Sequence, residues 1–157
     1  MGTMRKFLGV FVLGLFCISC NDANEVVSMQ SLAGSWNKNK IQELTFEVKD
    51  HQNPKNIIFV VRNNDNYPYS NLRLIGTILD DKKKVLSKDT LNYVLAKPNG
   101  QWLGSGFGDT KEILFQYKSD FKFPKDGQFS IGVIQAMRKD NLPGIEDLGV
   151  KIVNVKP

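Results

Sequence analysis

Apolar and polar side chains alternate along most of this chain. Leu44, Phe46 and Val48 are separated by Thr45 and Glu47, and Leu72, Leu74, Gly76 and Ile78 by Arg73, Ile75 and Thr77. The same period of two returns at Leu91, Tyr93 and Leu95, at Ile113, Phe115 and Tyr117, and at Phe129, Ile131 and Val133. A period of two places alternate side chains on opposite faces of a pleated strand, so each stretch reads as a half-buried strand. Residues 57–61, IIFVV, form a continuous branched and aromatic run that, with residues 72–79, belongs at the middle of a sheet. Val85-Leu86, Phe121 with Phe123, and residues 150–155 add further strand segments.

Turn formers fall between them: residues 50–55 (DHQNPK), 63–71 and 81–84 (DKKK), then Pro98-Asn99-Gly100, Pro124-Lys125-Asp126-Gly127 and Leu142-Pro143-Gly144. Short alternating segments with turns every ten residues or so predict an all-β fold, a two-sheet antiparallel β-sandwich of jelly-roll or immunoglobulin-like type with roughly eight strands. Helix is expected only in the leader and in a turn near residues 110–112 or 141–148. The expected division is a lipoprotein signal peptide over 1–19, a lipid-proximal tether over 20–40 in which Trp36 docks onto the domain, and a β-sandwich over 41–157.

The leader, MGTMRKFLGVFVLGLFCISC, has a basic start at Arg5-Lys6 followed by an apolar stretch of about a dozen residues, the length of a signal peptide. A spanning helix needs about 20 apolar residues, so this one is too short to cross a bilayer. Ser19-Cys20 resembles the end of a bacterial lipobox, with Cys17 standing where such boxes usually carry Leu. In such a lipoprotein the Cys20 thiol is acylated and becomes the first residue of the mature chain. Two or more acyl chains anchor stably where one is marginal, so the expected partner is a membrane, reached through lipid on Cys20. Cys17 and Cys20 are the only cysteines. Their C-x-x-C spacing ends a leader, and with no second ligand pair it suggests neither metal nor redox chemistry.

Charge adds little. Once Arg5 and Lys6 leave with the leader, 19 basic residues stand against 16 acidic, a net of +3 in place of +5. That mild, dispersed excess is not the basic patch of a nucleic-acid binder. Lys82-Lys83-Lys84 reads as a solvated loop tip. His51, the only histidine, reads as a solvated loop residue without a nearby partner, which leaves no Ser-His or Cys-His pair for nucleophilic catalysis. Asn63-Asn64-Asp65-Asn66 lacks the Gly and distal Glu of a calcium loop and reads as a turn capping its own backbone. Residues 104–109, GSGFGD, lack the Gly-Lys-Ser/Thr of a phosphate loop and read as a tight connection. No catalytic residue, metal or cofactor is expected. Tyr67, Tyr69 and Trp102 have two open readings: an exposed patch that stacks on sugars or receives a protein partner, or core residues plugging a sandwich end.

Several motifs, weak singly, agree in order and spacing: residues 61–74 (VRNNDNYPYSNLRL), Asp89-Thr90-Leu91, Trp102-Leu103-Gly104, Phe123-Pro124, Gln135-Ala136-Met137-Arg138, and residues 142–149 (LPGIEDLG). Together they resemble the gliding-motility lipoprotein GldH family of Bacteroidetes, over nearly the whole chain after the leader. The resemblance places the family's lipobox cysteine on Cys20 and supplies no catalytic residue. It implies an envelope lipoprotein supporting gliding and the associated type IX secretion machinery through an envelope protein partner. The anchor is expected in the outer rather than the inner membrane. A membrane-tethered carbohydrate-binding module is the alternative.

Overall fold

A computed structural model describes residues 25–155. The expected leader and Cys20 lie outside the described residues. Ten strands follow in order: β1 (Glu25–Ser31), β2 (Ser35–Asn37), β3 (Gln42–Val48), β4 (Lys55–Asn63), β5 (Asn71–Leu79), β6 (Val85–Val94), β7 (Lys111–Phe121), β8 (Gly127–Gln135), β9 (Asn141–Pro143) and β10 (Ile145–Asn154). Among the described residues there is no helix, so the turns expected near 110–112 and 141–148 are the starts of β7, β9 and β10.

Two four-stranded antiparallel sheets carry the fold. Sheet A runs β1-β10-β4-β7 and sheet C runs β3-β8-β5-β6, with the short pair β2-β9 alongside. Apart from the β5-β6 hairpin, successive long strands thus alternate between sheets, and the first long strand lies beside the last. That is the order of a jelly roll, which decides between the two sandwich types expected. The apolar strands β4 and β5 lie inside their sheets, as their composition requires.

Inward side chains form one core. Ile57, Phe59 and Val61 from β4, Phe115 and Tyr117 from β7, and Val150 and Ile152 from β10 face Leu44, Phe46, Leu72, Leu74, Phe129 and Ile131 of sheet C. Tyr93 of sheet C stacks across the layers on Phe115 of sheet A at 4.3 Å, and within sheet A Tyr117 stacks on Phe59 at 4.8 Å. Tyr117 reaches sheet C because Gly76 has no side chain; a Cβ there would lie 3.2 Å from the ring. Its single hydroxyl proton is shared between the Gly76 carbonyl at 3.2 Å and Asp89 Oδ2 at 3.0 Å.

Residues 25–37, expected to belong to the tether, are instead built into the body. β1 pairs with β10 from Glu25↔Val153 to Ser31↔Asp147, and β2 pairs with β9. β1 shows no clear alternation because it is an edge strand with apolar residues on both faces, Val26 on one and Val27 and Met29 on the other. Trp36 is fully buried, docked as expected.

Phe59 has no exposed surface and touches both bridging tyrosines. Phe59→Ala is expected to lower unfolding free energy by about 3–5 kcal/mol in urea titration, whereas the exposed Thr45→Ala changes it by less than about 0.5 kcal/mol.

Candidate functional site

Strand pairing sorts the connections between two ends of the sandwich. Glu25, Asn154, Lys55 and Phe121 are brought together in sheet A, and Val48 with Gly127 and Leu79 with Val85 in sheet C. That end holds the connections 49–54, 80–84 and 122–126, and there the chain enters from the Cys20 side. Ser31, Ile145, Asn63 and Lys111 mark the opposite end, with connections 32–34, 64–70, 95–110 and 136–140.

The entry end is charged, and its charges are largely paired. His51 is not without a partner: its backbone N–H donates to Asp126 Oδ1 at 2.6 Å and its ring Nδ1 lies 2.8 Å from the same oxygen. These bonds join two turns far apart in sequence, and the backbone contribution first, then the ring, holds the Asp126 carboxyl below its usual range. In the lysine run, Lys83 pairs with Glu43, and Lys125 reaches Asp81 at 2.9 Å.

The opposite end gathers the aromatics. Tyr67 packs edge-on against Tyr69 at 5.9 Å and at a tilt against Trp102 at 6.3 Å, so the three residues form one cluster. Its members differ in exposure. Tyr67 is only 3% exposed, its hydroxyl donating to the Asn71 carbonyl at 2.7 Å, and burial pushes its ionisation well above the tyrosine value. Tyr69 and Trp102 are half-buried above it, and Trp102 Nε1–H donates to Asp65 Oδ1 at 2.8 Å. Tyr67 is thus the floor of the cluster, and Tyr69 and Trp102 are what solvent reaches.

Gly144 sets that floor. Its φ is +79°, and a Cβ there would sit 2.2 Å from the Tyr67 nitrogen. Its N–H donates to Gly34 and its carbonyl accepts from Asn64, both at 2.9 Å, so three connections meet at one residue. Within residues 63–66, Asn64 Oδ1 caps the Asn66 N–H at 3.0 Å, as expected of a self-capping turn.

Residues 104–109 form a tight loop, with Lys111 Nζ donating to the carbonyls of Gly106 at 3.3 Å and Gly108 at 2.6 Å. A Cβ at Gly106 would come 2.4 Å from the Thr110 carbonyl. At the tip stands Phe107, fully exposed at 101%, beside the half-exposed Leu103. Phe107 was not among the expected contact residues, and its signal was present: a large aromatic flanked by glycines, outside any alternating run. It borders a cleft of about 470 Å³ lined by Arg62, Glu112, Glu146 and Asp147. Arg62 Nε lies 2.7 Å from Glu112 and its Nη1 3.5 Å from Asp147. Glu146 accepts from Thr110 Oγ1 at 2.6 Å and from Asn64 Nδ2 at 2.8 Å. Those two hydrogen bonds, Thr110 first, outweigh partial burial and hold its carboxyl below the usual glutamate range.

The family model described as GldH lipoprotein matches residues 25–152. The chain is 36% identical over 150 residues to the Gliding motility lipoprotein GldH homolog of Christiangramia forsetii, covering 91% of this chain and 92% of that protein. It is 32% identical over 145 residues to the Gliding motility lipoprotein GldH of Flavobacterium johnsoniae, covering 91% and 89%. Among solved structures, infectious bursal disease virus VP2 in its subviral particle aligns at TM-score 0.36 and 8% identity, over 83% of this chain and 33% of that one; the chain spans about a third of that protein's length.

Two outcomes are expected at this end. Gly144→Ala forces a side chain into left-handed backbone against Tyr67, and calorimetry should register a loss of about 2 kcal/mol or more. The Glu146 contribution runs the opposite way from a basic group: with its folded ionisation lowered, its bonds stabilise the loops above the unfolded value and are lost as pH falls through the folded one. The Asn64 and Thr110 amide resonances should therefore titrate together below the ordinary glutamate value of about 4.3, and Glu146→Gln should abolish that titration.

Proposed function

The chain belongs to the GldH lipoprotein family, and from that premise we propose that it is a cell-envelope lipoprotein that supports gliding motility and the associated type IX secretion machinery by binding a protein partner, without catalysis of its own. It is held through lipid on Cys20 to the outer membrane. The observation that carries this reading is the polarity of the fold: the chain enters the sandwich at one end, and the half-buried Tyr69 and Trp102 and the fully exposed Phe107 lie on the connections at the other. An anchored body with a contact-forming opposite end suits a component that holds something in place.

A protein partner is favoured over a glycan by the state of the aromatics. A sugar platform needs rings with open faces. Here Tyr67 is buried, and Trp102 is half-buried with Tyr67 packed against it. Phe107, by contrast, offers the whole of an apolar side chain with no hydroxyl or amide of its own, the type of anchor that fills a pocket on a protein.

Mass analysis of the native protein is expected to find an acylated Cys20, and Cys20→Ser should move the chain from the outer-membrane to the soluble fraction. An unmodified sulfur there removes the anchor. Truncating a hot-spot aromatic costs about 2 kcal/mol or more, so Phe107→Ala alone should weaken capture of crosslinked neighbours in intact cells by roughly thirtyfold, and the pair Tyr69→Ala and Phe107→Ala by more. Unchanged capture removes this end as the binding surface. A glycan-array signal from the purified protein would favour the carbohydrate reading instead.

A further inference from the structure

In-register strands point paired residues to the same face, so the outer face of sheet A reads as cross-strand rows. One row is Ser31, Asp147, Arg62 and Glu112; the next is Met29, Gly149, Val60 and Leu114; the third is Val27, Lys151, Ile58 and Gln116. The middle row has no polar side chain. Leu114 is 52% exposed, Val27 51% and Met29 39%, while Val60 is almost covered although it points away from the core. Met29 lies over Gly149, where a Cβ would fall 2.0 Å from its sulfur. The flanking charges are paired: Lys151 with Glu25 at 2.6 Å, and Arg62 with Glu112.

Sheet C is not purely polar either: among Glu43, Thr45, Glu47, Lys88, Thr90, Asn92 and Arg73 its outer face carries Ile75 paired with Ile134, Ile41 over Gly132, and the exposed Val85 and Val94. Contiguous exposed apolar surface marks a contact. What distinguishes the apolar row of sheet A is its place, since it starts on β1, the strand that the chain from Cys20 feeds.

We propose that the outer face of sheet A is a membrane-docking surface, lying against the headgroups of the bilayer that holds the Cys20 lipid. The inference rests on the anchor reading. Its support is the length of chain outside the described residues and where that chain ends. Four residues separate Cys20 from Glu25, the first residue of β1. Even fully extended, the link spans only about 17 Å. Val27 and Met29 follow about 7 and 14 Å into the strand, so the apolar rows begin within reach of the anchor. A protein partner would have to find this face by diffusion; the bilayer is already there. Tethering makes the contact intramolecular, so a face too weakly apolar to bind membrane unaided is held once the lipid is in place. The competing pose rests the molecule on connections 49–54, 80–84 and 122–126, which present paired charges and little apolar surface.

The mature chain offers a clean test, since its only thiol is Cys20, which the lipid blocks. Single substitutions Val27→Cys, Leu114→Cys, Thr90→Cys and Lys82→Cys are labelled with bimane in the acylated protein. The protein is then reconstituted in phosphatidylethanolamine–phosphatidylglycerol vesicles carrying acyl-chain spin labels. Labels at positions 27 and 114 are expected to lose most of their fluorescence to the quencher, and the label at Thr90, on sheet C, to keep it. Adding Leu114→Lys to the Val27→Cys protein should restore the signal at 27 while the protein still floats with the vesicles. Equal quenching at all positions, or quenching confined to Lys82, overturns the docked face and leaves the anchor standing. A chain that does not float and whose Cys20 reacts with maleimide overturns both. A photo-crosslinker at Leu114 that captures a protein in cells, rather than lipid, overturns the bilayer as occupant.

Discussion

Tyr117 spans the gap between the two sheets, and the fold is arranged to let it. Its ring lies on Phe59 within sheet A, and its hydroxyl proton lies between the Gly76 carbonyl of sheet C and the Asp89 carboxylate. Around Asp89, burial works to raise the carboxyl's ionisation, but hydrogen bonds from Lys118, Ser87 and Tyr117 outweigh it and hold the group charged. Burial, with the Asp89 charge nearby, drives Tyr93 the other way, up to about 12. A charged acid thus sits beside neutral phenols at the margin of the aromatic core. The described body contains no cysteine. What holds the layers together is this packing and its few satisfied polar atoms.

Once the layers are fixed, the jelly-roll order does the rest of the positioning. Each long strand hands the chain to the other sheet or to its antiparallel neighbour, so connections divide between the two ends. The charged turns collect where the chain enters: His51 and Asp126, Lys83 and Glu43, and Lys125 and Asp81 join segments 40 or more residues apart. Tyr67, Tyr69, Trp102 and Phe107 collect at the other end, around Gly144. Neither gathering is a local property of any segment. Both follow from a strand order that places the last strand beside the first.

How much of this was legible depends on whether the signal was local. β3 and β5 were legible because each buries one face in the core and alternates cleanly. The Pro-Gly step at 143–144 was legible as a chain break, though not that Gly144 would sit against Tyr67, which takes tertiary contact to see. β1 was not legible, because an edge strand with apolar residues on both faces has no period. For His51 the obstacle was distance, its partner lying 75 residues away. At the candidate site, the association of Tyr67 with Tyr69 and Trp102 was legible from residue type. The division between a buried floor and exposed neighbours was not, since both roles call for an aromatic ring.

The two proposals constrain one another. A molecule standing on its charged end would hold its aromatic loops a full sandwich length above the membrane, facing whatever lies across the compartment. A molecule lying on sheet A would carry the same loops close to the bilayer, aimed along its plane, and Phe107 would meet proteins embedded in that membrane. The tether is too short to serve both arrangements at once: the anchor reaches the entry end and the first residues of β1, and little else. The surface with which the body meets the lipid therefore sets the direction in which its aromatic end can recruit. The apolar row on the outer face of sheet A, beginning on the strand that leads from the anchor, is the feature of the fold on which the second arrangement is proposed.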